Sequence, residues 1–304
     1  MHRLKSIIGA LSSFWRRGTA AERTGYVVGA LLMISGLFHL AILMITGGSW
    51  EGPLSLRKPT TFGVSFGLTL ITIVWVTEFL ELKKRTRGAL LAGFIIACIL
   101  ETTLVSLQTW RGVPSHFNIA TAFDARVARS LAAGGLVLVV FTAVFTLVSF
   151  RIRGQAPISL RIAIRAGFVV LLGAQMVGAA MIAHGMLLVF RGDPQAAYAT
   201  GGSLKLTHGT MMHGVLILPA LAWLLSFSSW SERRRVSLVV VATCAYLILI
   251  GVVATSDFAG RSPLQLSPVI AALFMLGAIS LVVTGVLTLV GVARAPASHG
   301  IRHG

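Results

Sequence analysis

Eight apolar runs of about 20 residues, separated by short polar segments, leave this 304-residue chain very little choice of fold. A run of that length crosses a hydrocarbon core about 30 Å thick as an α-helix. Within the core the backbone must bond to itself, so the spans are helical rather than irregular. The runs place spans at 25–47, 61–80, 89–109, 131–150, 166–190, 208–230, 237–256 and 267–293. A hydrophobic content of 56% and a mean hydropathy of +0.87 are too high for a soluble domain. The expected fold class is therefore all-α, polytopic and membrane-embedded. Residues 25–293 form one transmembrane domain, with 1–24 before it and a tail at 294–304.

A net charge of +17 invites a nucleic-acid partner, but its distribution argues against one. Eighteen of the 26 Lys and Arg residues lie at one set of span ends and eight at the other. Cytoplasmic loops carry the basic excess, so both termini are expected in the cytoplasm and the partner is the lipid bilayer. In residues 1–20, Leu4, Ile7, Ile8, Leu11, Phe14 and Trp15 recur at helical spacing among Arg3, Lys5, Arg16 and Arg17. That pattern suits a basic amphipathic helix lying on the inner membrane surface.

Cys98 and Cys244 form no metal-binding or disulfide pattern and read as small buried residues. Gly63 and Gly67 have the spacing that lets membrane helices approach closely. Gly25-Tyr-Val-Val recurs as Gly167-Phe-Val-Val, and Ser55-Leu-Arg as Ser203-Leu-Lys. These pairs suggest parallel repeats of four helices about an axis along the membrane normal.

The chemistry is expected in the outer half of the bilayer. Glu101 falls inside a span, where an ionisable group is expensive and is by default a functional candidate. His39, His184 and His213 lie on three other spans at a similar depth, about 8–12 Å below the outer ends. Imidazoles facing one another across a bundle suit a b-type haem, and also copper or another transition metal. Met181, Met211 and Met212 beside the histidines would favour copper. His208 and Gln108 are further cofactor-binding candidates, with His208 near the outer mouth. The loop after the third span adds Arg111, His116 and Asn118, so that Glu101, Arg111, His116 and Asn118 form the candidate catalytic set. Seven outer cations (Arg57, Lys58, Arg111, Arg126, Arg129, Arg191 and Lys205) would hold haem propionates or an anionic substrate.

The segments WEGPLSLRKPTTFGVSFG (50–67), QTWRGVPSHFN (108–118) and THGTMMHGVLILPALAWLL (207–225) resemble stretches of a group of uncharacterised bacterial polytopic membrane proteins. The resemblance implies a bacterial inner-membrane protein and carries no activity with it. The four-plus-four layout also resembles haem A synthases. Their paired histidines lie on even-numbered helices, whereas those here lie on spans one, five and six, so no residue role is carried across. Three functions follow as expectations. The first is a haem or metal centre doing redox chemistry with a periplasmic redox partner or small-molecule substrate. The second is a proton-coupled transporter of a small solute or anion. The third is an assembly factor or structural subunit without a cofactor.

Overall fold

The computed structural model describes residues 2–152, 156–200 and 204–295. Ser203, His299, His303 and the tail beyond Ala295 lie outside the described residues. Among the described residues the chain is helical throughout, without strands, in the order α1 (His2–Arg17), α2 (Ala20–Thr46), α3 (Arg57–Thr77), α4 (Lys84–Trp110), α5 (Ala122–Ser149), α6 (Ile158–Phe190), α7 (Pro194–Thr200), α8 (Lys205–Met212), α9 (Gly214–Leu225), α10 (Glu232–Ala259), α11 (Pro263–Leu266) and α12 (Pro268–Arg294). Eight of these segments are long and apolar enough to span a membrane, with α8 and α9 together forming the sixth.

Hydropathy locates the greasy part of each span, whereas caps decide where the helix begins. α5 starts nine residues before the expected 131, because Thr121 Oγ1 accepts the Asp124 backbone N–H and closes an N-cap there. α6 likewise begins at Ile158 rather than 166, after Pro157 at its N-cap, and its first two turns carry Arg161 and Arg165. These polar turns lengthen the helices beyond their apolar runs.

Alternation of the spans collects α1 and residues 78–83, 150–152, 156–157 and 226–231 on one face, the amino-terminal face. Residues 47–56, 111–121, 191–200 and 260–267 gather on the opposite face. Ion pairs stitch the amino-terminal face: Glu22 with Arg87, Glu78 with Arg17, and Glu232 with Arg235. Glu232 Oε1 also accepts the Ser159 backbone N–H at 2.7 Å, joining α10 to the start of α6. On this face α1 docks through Phe14, which is buried among Trp75, Phe79 and Trp223.

α2 and α3 approach most closely, through glycines. A Cβ placed on Gly63 would stand 2.6 Å from Gly36 Cα, so the expected Gly63/Gly67 contact face is real. The sixth span bends at His213, where regular helix is interrupted between α8 and α9. Its Thr210 carbonyl accepts the Tyr246 hydroxyl of α10 at 2.5 Å, which compensates part of the lost ladder. Cys98 is buried as expected, but Cys244 lies exposed on the outer face of α10, one residue off the stripe of Ala242, Ala245 and Tyr246 that packs inward.

An interval of 148 residues recurs along the chain. It separates Ser55 from Ser203, Trp75 from Trp223 and Phe79 from Phe227 in the sequence. Both ends of the second span (Arg57–Thr77) and of the sixth (Lys205–Leu225) are offset by the same interval, as are the starts of α4 and α10. Trp75 and Trp223 meet edge to face with their centroids 5.9 Å apart, each also packed on its own Phe79 or Phe227.

Candidate functional site

The α4–α5 interface is built in three levels, read from the opposite face inward. At the top, Asp124 is buried and its carboxylate gathers three donors. Gln108 Nε2 donates to its Oδ1 at 2.9 Å and Arg111 Nη1 to the same oxygen at 2.6 Å. Thr121 Oγ1 donates to Oδ2 at 2.7 Å, and the Asp124 carboxylate sits in the first turn of α5, where the helix dipole favours negative charge. Arg111 Nη1 also donates to Gln108 Oε1, while its guanidinium covers the Phe123 ring at 4.6 Å. Charge-assisted bonds of this kind hold a loop in one geometry.

Below this cap lies an apolar level of Val105, Val127 and Leu131, flanked by Phe62 and Leu104. Below that, seven residues and about 10 Å along α4 from Gln108, is Glu101. Its side chain is 3% exposed and its Oε1 has no hydrogen-bond partner. The carboxyl fits only because α5 offers glycine: a Cβ on Gly134 would stand 2.6 Å from Oε1. Thr102 Oγ1 and Ser106 Oγ on the same helix are also buried without partners. A groove of about 240 Å³ runs along the outside of this interface, lined by Ala97, Leu100, Ala133 and Gly134 among others.

The loop 111–121 is shaped around Phe117, which takes a left-handed φ of 65° and buries its ring against Gly185 of α6. Asn118, expected in a catalytic role, is buried and uses Oδ1 to accept the Ala120 backbone N–H at 3.1 Å, so it shapes the turn. His116 stacks beside Phe62 with centroids 5.7 Å apart, and its Nδ1 lies 3.1 Å from Ser115 Oγ. Burial first, and the nearby Lys58 ammonium second, push the His116 imidazole down to about 3, so it is neutral at ordinary pH.

The histidines expected to share a centre do not assemble as a donor set. His39 is buried on α2 with both ring nitrogens occupied: Nδ1 donates to the Ser35 carbonyl at 2.7 Å, and Nε2 accepts the Trp110 indole N–H at 3.0 Å. His184 is exposed, because α6 turns Ile182, Gly185, Met186 and Val189 inward toward Phe117 and leaves residue 184 off that stripe. His213 is half-buried at the α8–α9 bend. His208 bonds through Nδ1 to the Ala174 carbonyl of α6 at 2.7 Å. Among the described residues, no three of His, Cys, Asp and Glu come together in a way that would hold a metal ion. Equal depth on separate helices is not proximity. His39, His184 and His213 thus form no such three-residue group among the described residues. Met211 packs against Gly173 and Met212 lies in the core, where methionine fills gaps.

Of the remaining candidates, the structure joins Gln108 with Arg111 and places Glu101 one apolar level below them. Asp124, the centre of that network, was legible as the fourth residue of a Thr-x-x-Asp cap but lay outside the apolar run. Arg126, Arg129 and Arg191 are exposed, whereas Arg57, Lys58 and Lys205 are drawn partly into the protein. Comparison with protein-family models, curated proteins and solved structures finds no match for the chain. Fold and site together define a multi-pass helical membrane protein with a carboxyl, Glu101, buried between two of its spans and one of its oxygens without a hydrogen-bond partner.

Proposed function

We propose that the protein is a proton-coupled transporter of a small solute in the bacterial inner membrane, with both termini cytoplasmic and Glu101 as the proton carrier. One observation carries this reading. Leu249 follows Glu101 by the same 148-residue interval and packs on Gly277 of α12, whose added Cβ would stand 2.9 Å from Leu249 Cγ. An apolar side chain thus satisfies the corresponding helix–glycine contact in the second half, so packing does not require an acid at 101. An acid that packing does not require, held at membrane depth without a partner for Oε1, is suited to gaining and losing a proton.

The repeated architecture supports the same reading. The second and third spans of each half pack on one another, as do the first and third, and a two-half arrangement of this kind is common in transporters. Val105, Val127 and Leu131 separate Glu101 from the Arg111–Asp124 cap. In an alternating-access cycle this apolar level acts as a gate, opening when α4 and α5 part.

The test is electrical. Proteoliposomes under a pH gradient are challenged with pools of organic acids, inorganic anions, amino acids and amines, and the charge displacement is recorded. A current that depends on the gradient and disappears in Glu101→Leu is expected. No current with any pool, together with a Soret band in the purified protein, would instead establish the redox reading.

A further inference from the structure

Arg57 and Lys205 are the first residues of α3 and α8, and they occupy equivalent positions in the two halves. Lys58 follows Arg57 on α3. None of the three is exposed, and the Arg57 side chain retains only 16% of its accessible surface. Each of the three ammonium or guanidinium groups lies within the field of another: Lys58 is repelled by Lys205 and Arg57, and Lys205 by Arg57. His116 stands beside Lys58 and is neutral, so it neither adds to nor relieves the charge.

The countercharge is inadequate. No carboxylate is among the charges acting on Lys58. Glu51 lies 3.9 Å from Arg57 Nη2 and its charge also reaches Lys205, but its side chain is 78% exposed on the 47–56 loop. Arg57 Nε is buried with no hydrogen-bond partner. Charges drawn out of water are normally paired, and three like charges held together with one loose acid at their rim are not. Their arrangement calls for an anion.

We propose that Arg57, Lys58 and Lys205 form an oxyanion-binding site at the opposite face, taking a phosphate or carboxylate group where the two halves of the molecule converge. Arg57 offers the planar fork that suits two oxygens of such a group, and the two lysines act as point charges around it. Glu51 on its loop stands in for the anion when the site is free and is displaced when one binds. The site does not depend on the transport reading, since Glu101 takes no part in it. Its oxyanion comes either from a free solute or from the headgroup of an anionic lipid.

Thermal unfolding of the purified full-length chain separates these sources. In zwitterionic detergent, inorganic phosphate and sulfate are titrated against chloride at matched ionic strength. In a second arm, phosphatidylglycerol is compared with phosphatidylcholine in mixed micelles. A midpoint raised by phosphate or sulfate beyond the chloride control, weakened at least fivefold in Lys58→Gln and Lys205→Gln and retained in Lys205→Arg, supports the site with a free solute. The same pattern with phosphatidylglycerol alone supports it with a lipid headgroup. Lys84→Gln, on the amino-terminal face, should respond as the wild type does. If neither oxyanion nor anionic lipid exceeds its control in the wild-type protein, the site does not exist; that result requires no variant to fold. Responses unchanged in both glutamine variants would overturn it equally.

Discussion

Glu101 and Leu249, 148 residues apart in the sequence, are each set against a glycine of the following span. One contact is filled by a leucine, and the other by a carboxyl whose Oε1 has no hydrogen-bond partner. Replacing Glu101 by Leu should therefore preserve the fold. Removing an unsatisfied polar group from a buried site should leave the protein as stable or more stable, by about 1–3 kcal/mol. Thermal unfolding in detergent reads the stability and proteoliposome currents read the function. A variant that fails to fold would show that the carboxyl has a structural partner.

Gly134 has the converse sensitivity. Its missing Cβ makes the room that Glu101 Oε1 occupies, so Gly134→Ala forces the carboxyl or α5 to move. The expected cost is about 1–3 kcal/mol, typical of overpacking. Adding Glu101→Ala should recover most of it, because the clash then disappears, and a double-mutant cycle should give a coupling of about 0.5–3 kcal/mol. Additive effects would mean that the two side chains do not meet.

His116 imposes a pH dependence whose sign is fixed by its environment. The folded imidazole titrates at about 3 because burial disfavours its charged form, against about 6.5 in an unfolded chain. Below pH 6.5 the unfolded state takes up a proton that the folded state refuses. Stability is thus fully present above pH 6.5 and is lost as pH falls toward 3, with a slope of at most about 1.4 kcal/mol per pH unit. His116→Phe keeps the ring packing against Phe62 and should flatten this contribution, measured as the difference in unfolding midpoint between pH 5 and pH 8.

The bond from Trp110 to His39 ties the end of α4 to α2. Trp110→Phe removes the donor and leaves a buried imidazole nitrogen without its partner, which should cost about 1–3 kcal/mol. In a His39→Leu background the same substitution should cost markedly less, since no acceptor remains. Equal costs in both backgrounds would show that the indole contributes only its packing.

The spans were legible because hydrocarbon imposes one rule on every residue within it, and that rule is written in apolar run length. The ends of α5 and α6 were not, since Thr121, Asp124, Arg161 and Arg165 extend those helices with polar residues that hydropathy discounts. Within the site, Glu101 was visible as a charge where none should be. Gln108 and Arg111 were each singled out, but not together, because their common partner Asp124 lies 13 residues or more away along the chain.

Run length and the distribution of charge determined by themselves that this chain crosses a bilayer eight times, because both depend only on how each residue partitions between water and lipid. Depth along a helix was also readable, at a fixed rise per residue. Which face of a helix turns inward was decided by packing between helices that are distant in sequence. His39, His184 and His213, expected at one level, form no three-residue metal group among the described residues, while Trp75 and Trp223, 148 residues apart, lie in contact.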